Sequence, residues 1–207
     1  MKIHTKLLNT SLLLFTLFLL SACTSKPIKV DTGSDWQSRQ AALAEIDNWK
    51  MNARIGLRSK DRSGSASLIW VETPEQRNLR LLGPLGGGLV QLQQNAAGVS
   101  ILDSKGKTWL AQDAGELVYR VTGWQIPVSG MRWWLLGLTE PGSQAESTLD
   151  AAHRLKSVRQ DGWNVVLDKY TQFGDHELPT SIVIETVAGG DDERYIRVKV
   201  IVKDWTF

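Results

Sequence analysis

Residues 49–58 alternate without a break: Trp49, Met51, Ala53, Ile55 and Leu57 are apolar, whereas Lys50, Asn52, Arg54, Gly56 and Arg58 are polar or glycine. A side-chain period of two puts these sets on opposite faces of an extended chain. Ten such residues commit the protein to a sheet with one buried and one wet face. The pattern recurs in shorter pieces. Ala66, Leu68 and Trp70 follow turn residues 61–64, and then come Leu79 with Leu81, Val90 with Leu92, and Val99 with Ile101. Gly, Asn, Asp and Pro interrupt the series roughly every ten residues, the spacing of short antiparallel strands in a curled sheet or barrel. Strand patterns return at 155–159, 163–169 and 182–186. The last run is the clearest, with Ile196, Val198, Val200 and Val202 opposed by Arg197, Lys199 and Lys203.

Three segments break this period. Residues 35–48 are expected to be helical, with Ser34 or Asp35 as N-cap and Trp36, Ala42, Leu43 and Ile46 near one face. Asp113 with Glu116 three residues on has the form of a capping box, and Leu117, Val118 and Val121 follow it. After Pro127, Met131, Trp134, Leu135 and Leu138 fall at i, i+3, i+4 and i+7, an apolar helical stripe ended by Gly137 and Pro141-Gly142. A one-sided sheet with amphipathic helices inserted mid-chain packs by curving, so that the helices close its apolar side.

The N-terminus carries a different signal. Lys2 and Lys6 precede an apolar run over residues 12–20, and the run ends in Leu20-Ser21-Ala22-Cys23. A positive start, a short apolar stretch and small residues at a cut describe a secretory signal. The cysteine at the cut gives it the form of a bacterial lipobox, whose cysteine is alkylated with diacylglycerol and becomes the new N-terminus. Residues 7–22 are too short and interrupted for the roughly 20 apolar residues of a membrane span. Two or three acyl chains at ~0.8 kcal/mol per buried methylene hold a domain on a membrane effectively permanently. Thr24, rather than aspartate, follows the cysteine and favours the outer membrane by analogy with known sorting. The expected organisation is a signal at 1–22, an acylated cysteine with a flexible tether at 23–34, and one domain at 35–207. The tether includes Pro27 and Gly33.

Removing residues 1–22 from 207 leaves 185, the size of one domain. The formal charge of +2 falls to zero, because Lys2 and Lys6 leave with the signal. No block of basic residues stands out, so nucleic-acid binding is set aside. Cys23 is the only cysteine, which excludes an intramolecular disulfide. The mature chain has two histidines, His153 and His176, both among polar turn-like residues, and no cluster has metal-ligand spacing. There is no Gly-x-Ser-x-Gly elbow. Asp191, Asp192 and Glu193 sit beside Gly189-Gly190 and have the form of a hairpin turn. Neither catalysis nor a cofactor is expected. Nine tryptophans against four phenylalanines and three tyrosines either pack a core or line an apolar cavity. Gly83-Pro84-Leu85-Gly86-Gly87-Gly88 is not a phosphate loop, since no Gly-Lys-Ser/Thr follows. It is either a loose hairpin turn or a loop that presents Leu85 to a membrane or an acyl chain.

Together these pieces resemble the LolB family of outer-membrane lipoprotein receptors. The resemblance rests on the lipobox at 20–23, the Trp36 helix and the strand with Arg54-Ile55-Gly56. It continues through Leu81-Leu82-Gly83-Pro84-Leu85-Gly86, Asp103 with Lys105-Gly106, Thr122-Gly123 with Ile126-Pro127, Trp134-Leu135-Leu136-Gly137-Leu138 and Asp204-Trp205. It implies a mainly β fold with α: a strongly curved antiparallel sheet, an incomplete barrel, with short helices as a lid over an apolar cavity. It also implies a monomer, lipid-anchored on the periplasmic face of the cell outer membrane. Such a protein accepts acylated lipoprotein cargo from the periplasmic carrier LolA and passes it into the outer-membrane bilayer. Leu85 matches the family's loop leucine for that last step, although Gly86-Gly87-Gly88 after it departs from the family pattern. Trp70, Trp134, Leu135 and Leu138 are expected to line or cover the acyl cavity, with plain core packing as the alternative. A lipid-anchored periplasmic sensor or assembly scaffold on a similar curved sheet is the rival reading.

Overall fold

A computed structural model describes residues 32–83, 89–187 and 195–207. Cys23, Leu85 and the acidic turn at 191–193 lie outside them. The described chain runs α1 (Thr32–Ala44), β1 (Trp49–Ser59), β2 (Ser63–Glu72), β3 (Gln76–Leu82), β4 (Leu89–Asn95), β5 (Gly98–Leu102) and β6 (Thr108–Ala111). It continues through α2 (Ala114–Thr122), α3 (Val128–Trp134), β7 (Ala145–Leu149), β8 (Leu155–Gln160), β9 (Trp163–Phe173), β10 (His176–Thr186) and β11 (Ile196–Thr206).

All eleven strands form one antiparallel sheet in the order β6-β5-β4-β3-β2-β1-β11-β10-β9-β8-β7. Two meanders therefore grow outward from the central β1–β11 pair, where Ile55 lies opposite Val200 and Leu57 opposite Val198. The sheet does not close, since β6 and β7 are its two edges. The chain between those edges is the helical segment α2–α3. Alternation does what the sequence requires: Trp49, Met51, Ala53 and Ile55 are buried, and Lys50 and Arg54 are exposed. Inward residues from both meanders join α2 and α3 in one continuous hydrophobic core. An eleven-strand sheet whose inner faces share one core must curl around it.

The helices differ from the sequence expectation in their limits. α1 starts at Thr32 and ends at Ala44, earlier than residues 35–48, and Ala42 is exposed. Its apolar stripe is weak, and polar ties fix it instead. Arg39 donates to the Glu177 carbonyl and pairs with the Glu177 carboxylate at 3.6 Å, and His153 Nδ1 lies 3.0 Å from Asp35. Ile46 is buried beyond the helix end, where its amide closes a turn on Leu43. α2 is capped as expected, with the Asp113 carboxylate accepting from the Glu116 amide at 2.7 Å. Gly123, at φ +70°, ends it. α3 stops at Trp134, short of the stripe's end at Leu138. Gly137 at φ +76° forces the chain out, and tight turns close Leu136 on Trp133 and Gly137 on Trp134.

Two strands and part of a third were hidden from the pattern. β6 is four residues long, and β7 is exposed along most of its length. β10 begins at His176, not at Ile182, and contains Pro179, a residue that argues against a strand in sequence. His176 is thus a strand residue, set edge-to-face against Phe207 at 4.6 Å, and not a turn residue.

Candidate functional site

The concave side of the first meander holds a small cavity beneath α2 and α3. Strands contribute Ile55, Leu68, Leu79, Leu81, Val90, Leu92 and Ile101, and the helical segment contributes Val118, Thr122, Ile126, Val128 and Met131. Thr122 is the only polar side chain among them. Its hydroxyl donates to the Val118 carbonyl at 2.7 Å and accepts from the Trp124 amide at 3.1 Å, so it presents no unmet bond to the space. A lining of this kind imposes no desolvation cost on a hydrocarbon and offers nothing to a polar ligand. The cavity measures about 30 Å³, room for two or three waters. Ligand pockets run to roughly 300 Å³ and above. The state described is therefore closed.

The two lid helices are held differently. Arg132 of α3 reaches down to Glu72 of β2 at 2.7 Å, and Arg77 of β3 clasps the other side of the same carboxylate at 2.9 Å. The Trp70 indole N–H donates to it as well, at 2.8 Å. Glu72 is buried, and burial alone pushes a carboxyl pKa up. The Arg77 hydrogen bond and charge, then Trp70 and Arg132, outweigh that and hold it below the ordinary value. At the end of α3 the Trp134 N–H donates to buried Gln160, which also bonds the backbone of Glu140 and the hydroxyl of Ser143. α2 has a lighter attachment at its C-terminal end. Arg62, on the exposed β1–β2 turn, donates to the carbonyls of Thr122 and Gly123 and lies 4.1 Å over the Trp124 ring.

Trp70, Trp134, Leu135 and Leu138 are all buried, but none is among the residues lining the cavity. None of the nine tryptophans lines it. Trp49 packs on Trp70 and Trp205 at centroid distances of 5.7 and 5.0 Å, at the opposite end of the central strands from the cavity. The lining is instead carried by branched aliphatic residues at inward strand positions. Their pattern was visible in sequence, whereas the choice of which inward residues face empty space was not. Leu81 and Val90 are the inward residues next to the segment that contains Leu85. Asp103, part of the resemblance, organises the β5–β6 turn by accepting from the amides of Lys105 and Lys107 and from the Trp109 indole. Among the described residues, no three His, Cys, Asp or Glu side chains are placed to hold a metal, and no helix is long and apolar enough to cross a membrane.

An open antiparallel sheet curled around an apolar core, with helices between its edges, is a fold shared with solved structures of distant sequence. The chain is similar to a LolA superfamily protein from Nitrosomonas europaea, with a TM-score of 0.53 over 83% of this chain and 92% of that one at 9% identity. A DUF1329 family protein from Desulfovibrio piger shares the fold at a TM-score of 0.52 and 4% identity, over 85% and 92% of the two chains. Sequence narrows the class. The model of the outer membrane lipoprotein LolB family matches residues 47–205. The chain is 35% identical over 170 residues to the outer-membrane lipoprotein LolB of Pseudomonas putida, covering 82% of this chain and 80% of that protein. It is 32% identical over 200 residues to that of Ectopseudomonas mendocina, covering 94% and 95%. The chain belongs to the LolB family. Its location is accordingly the outer membrane, to which it is anchored by lipid.

Proposed function

We propose that this protein is the receptor that takes acylated lipoproteins from a LolA-type periplasmic carrier and delivers them into the outer membrane. The observation that carries the reading is the cavity, apolar throughout and with its one hydroxyl satisfied internally. An acyl chain of about sixteen methylenes loses on the order of 13 kcal/mol on entering water, at ~0.8 kcal/mol per methylene. Transfer must then run from cavity to cavity, and final release runs into a bilayer that solvates every chain. The closed volume of about 30 Å³ requires the lid to open for loading. The weakly held end of α2 is the part we assign to that motion, with α3 staying pinned through Glu72 and Gln160. Opening would bring Trp134, Leu135 and Leu138, on and just after α3, and Trp70 beneath it, into reach of a bound chain. Cys23 is the anchor in this reading, and Leu85 is the residue that meets the membrane. No step makes or breaks a covalent bond.

The test is transfer. A carrier loaded with labelled lipoprotein is mixed with the non-acylated chain, and the protein that co-purifies with the cargo is identified. Cargo should move onto this chain. If it stays on an active carrier while this chain is folded, the receptor reading fails and a sensor or scaffold becomes the better account. With the acylated chain in membranes, Leu85→Glu should leave cargo acceptance intact and reduce insertion at least tenfold. Normal insertion in that variant would reduce the loop to a turn.

A further inference from the structure

The outward faces of five neighbouring strands carry charge of almost one sign. Exposed positions on β1, β3 and β11 hold Lys50, Arg54, Arg58, Arg80, Lys199 and Lys203. The strand register makes them a continuous field: Arg58 lies opposite Arg197, Gly56 opposite Lys199, and Arg54 opposite Ile201. Arg80 joins across β2, where Ile69 lies opposite Asn52 on one side and Arg80 on the other. Between the cations, β2 offers Ser63, Ser65 and Ser67, and β4 offers Gln91 and Gln93. The carboxylates nearby are few. Asp204 accepts from the Asn52 amide at 2.6 Å, and Glu185 of β10 is taken by Arg197. Among the described residues none of the six side chains makes a hydrogen bond or an ion pair.

A mature chain of net charge zero that gathers six cations on one face, unpaired among the described residues, is polarised. Gathering like charges on neighbouring strands works against the fold, because such neighbours repel. We propose that this face docks on the anionic phospholipid headgroups of the membrane that holds the lipid anchor. The inference goes beyond cargo handling and rests only on the outer-membrane location. Nine residues of chain from Cys23 to Thr32 reach at most about 30 Å, which bounds how far Thr32 can stand from that surface. Cations on three of five neighbouring strands, separated by the hydroxyl and amide side chains of the other two, match an array of phosphates. An acidic peptide would instead call for charges focused along one line.

The experiment uses the full acylated chain in vesicles. Alkylation of Cys23 leaves an introduced cysteine as the only free thiol. A fluorophore at Ser67→Cys, in the middle of the face, is read against a quencher on the lipid headgroups, with Ser147→Cys on β7 as the control. Quenching at position 67 should be stronger in phosphatidylcholine vesicles containing phosphatidylglycerol than in phosphatidylcholine alone. It should fall at high salt, where the screening length shrinks to about 3 Å at 1 M. Each cation neutralised among Arg54→Gln, Arg80→Gln and Lys199→Gln should reduce the docked-to-undocked ratio about fivefold. All three positions are exposed, and unchanged melting will verify the fold. Quenching indifferent to phosphatidylglycerol, or to the three substitutions, would overturn the proposal. So would protection of position 67 that arises only when an acidic carrier protein is added, which would give the face to a protein partner.

Discussion

Glu72 shows how one buried charge decides what a helix does. Two guanidinium groups and an indole N–H surround its carboxylate in the core, and one of those groups belongs to α3. Removing one member of such a buried set strands the others, which costs on the order of 3–5 kcal/mol. Glu72→Gln should therefore destabilise the protein by about that much, as read by denaturant unfolding at neutral pH. The pH dependence has a definite sign. The folded pKa is depressed, so the contribution is fully present above the ordinary value of 4.5 and is lost as the pH falls through the lower folded value. Wild type should lose stability in that acid range, and Glu72→Gln should lose less. A parallel loss in both would show that the carboxylate is not the titrating group.

At the scale of the element, α3 depends on an absence. An added Cβ at Gly130 would lie 2.6 Å from the Trp134 ring, which folds back along the helix one turn. In an open helix, Gly→Ala gains about 1 kcal/mol. Here Gly130→Ala should instead cost about 1–3 kcal/mol, as overpacking does. A rise in melting temperature would mean the ring moves aside freely. α2 makes the opposite case. It buries Leu117 and Val118, but its far end is held by two exposed arginines, Arg62 on the Thr122 and Gly123 carbonyls and Arg120 on the Leu110 carbonyl. An exposed cation–π contact is worth about 0.5–1 kcal/mol. Arg62→Ala should scarcely lower stability yet speed the entry of a fluorescent acyl probe several-fold. An unchanged entry rate would locate the opening elsewhere.

At the scale of the whole molecule, the topology explains why a lid exists at all. The two meanders meet at β1–β11 but not at β6 and β7, and the chain that joins those edges is α2–α3. The opening of the sheet and the cover over it are thus one feature. If the lid lifts, Leu135 and Leu138 stand at its root, so replacing both with alanine should weaken probe binding more than it lowers stability. Equal losses would leave them as core residues only, each costing the 2–5 kcal/mol usual for such a truncation.

Much of this was legible without coordinates because it is local. Period-two alternation placed β1–β5, β8, β9 and β11, and Asp113 announced α2. The lipobox and the ordered motifs pointed to the family. What escaped was set by contacts between segments distant in the chain. β6 and β7 are too short or too exposed to show a pattern, and Pro179 disguised the start of β10. The cavity escaped for a deeper reason. Every inward aliphatic residue carries the same signal in sequence, and whether it meets a neighbour or a void depends on how the sheet curls. In sequence Trp70, Trp134, Leu135 and Leu138 carry that signal as strongly as Leu81, Val90 and Met131, which line the space. The single-signed outer face belongs to the same class. Strand alternation alone dictated that Arg54, Arg80 and Lys199 face water, but only the register, above all that of β1 with β11 from opposite ends of the described chain, brought their charges together.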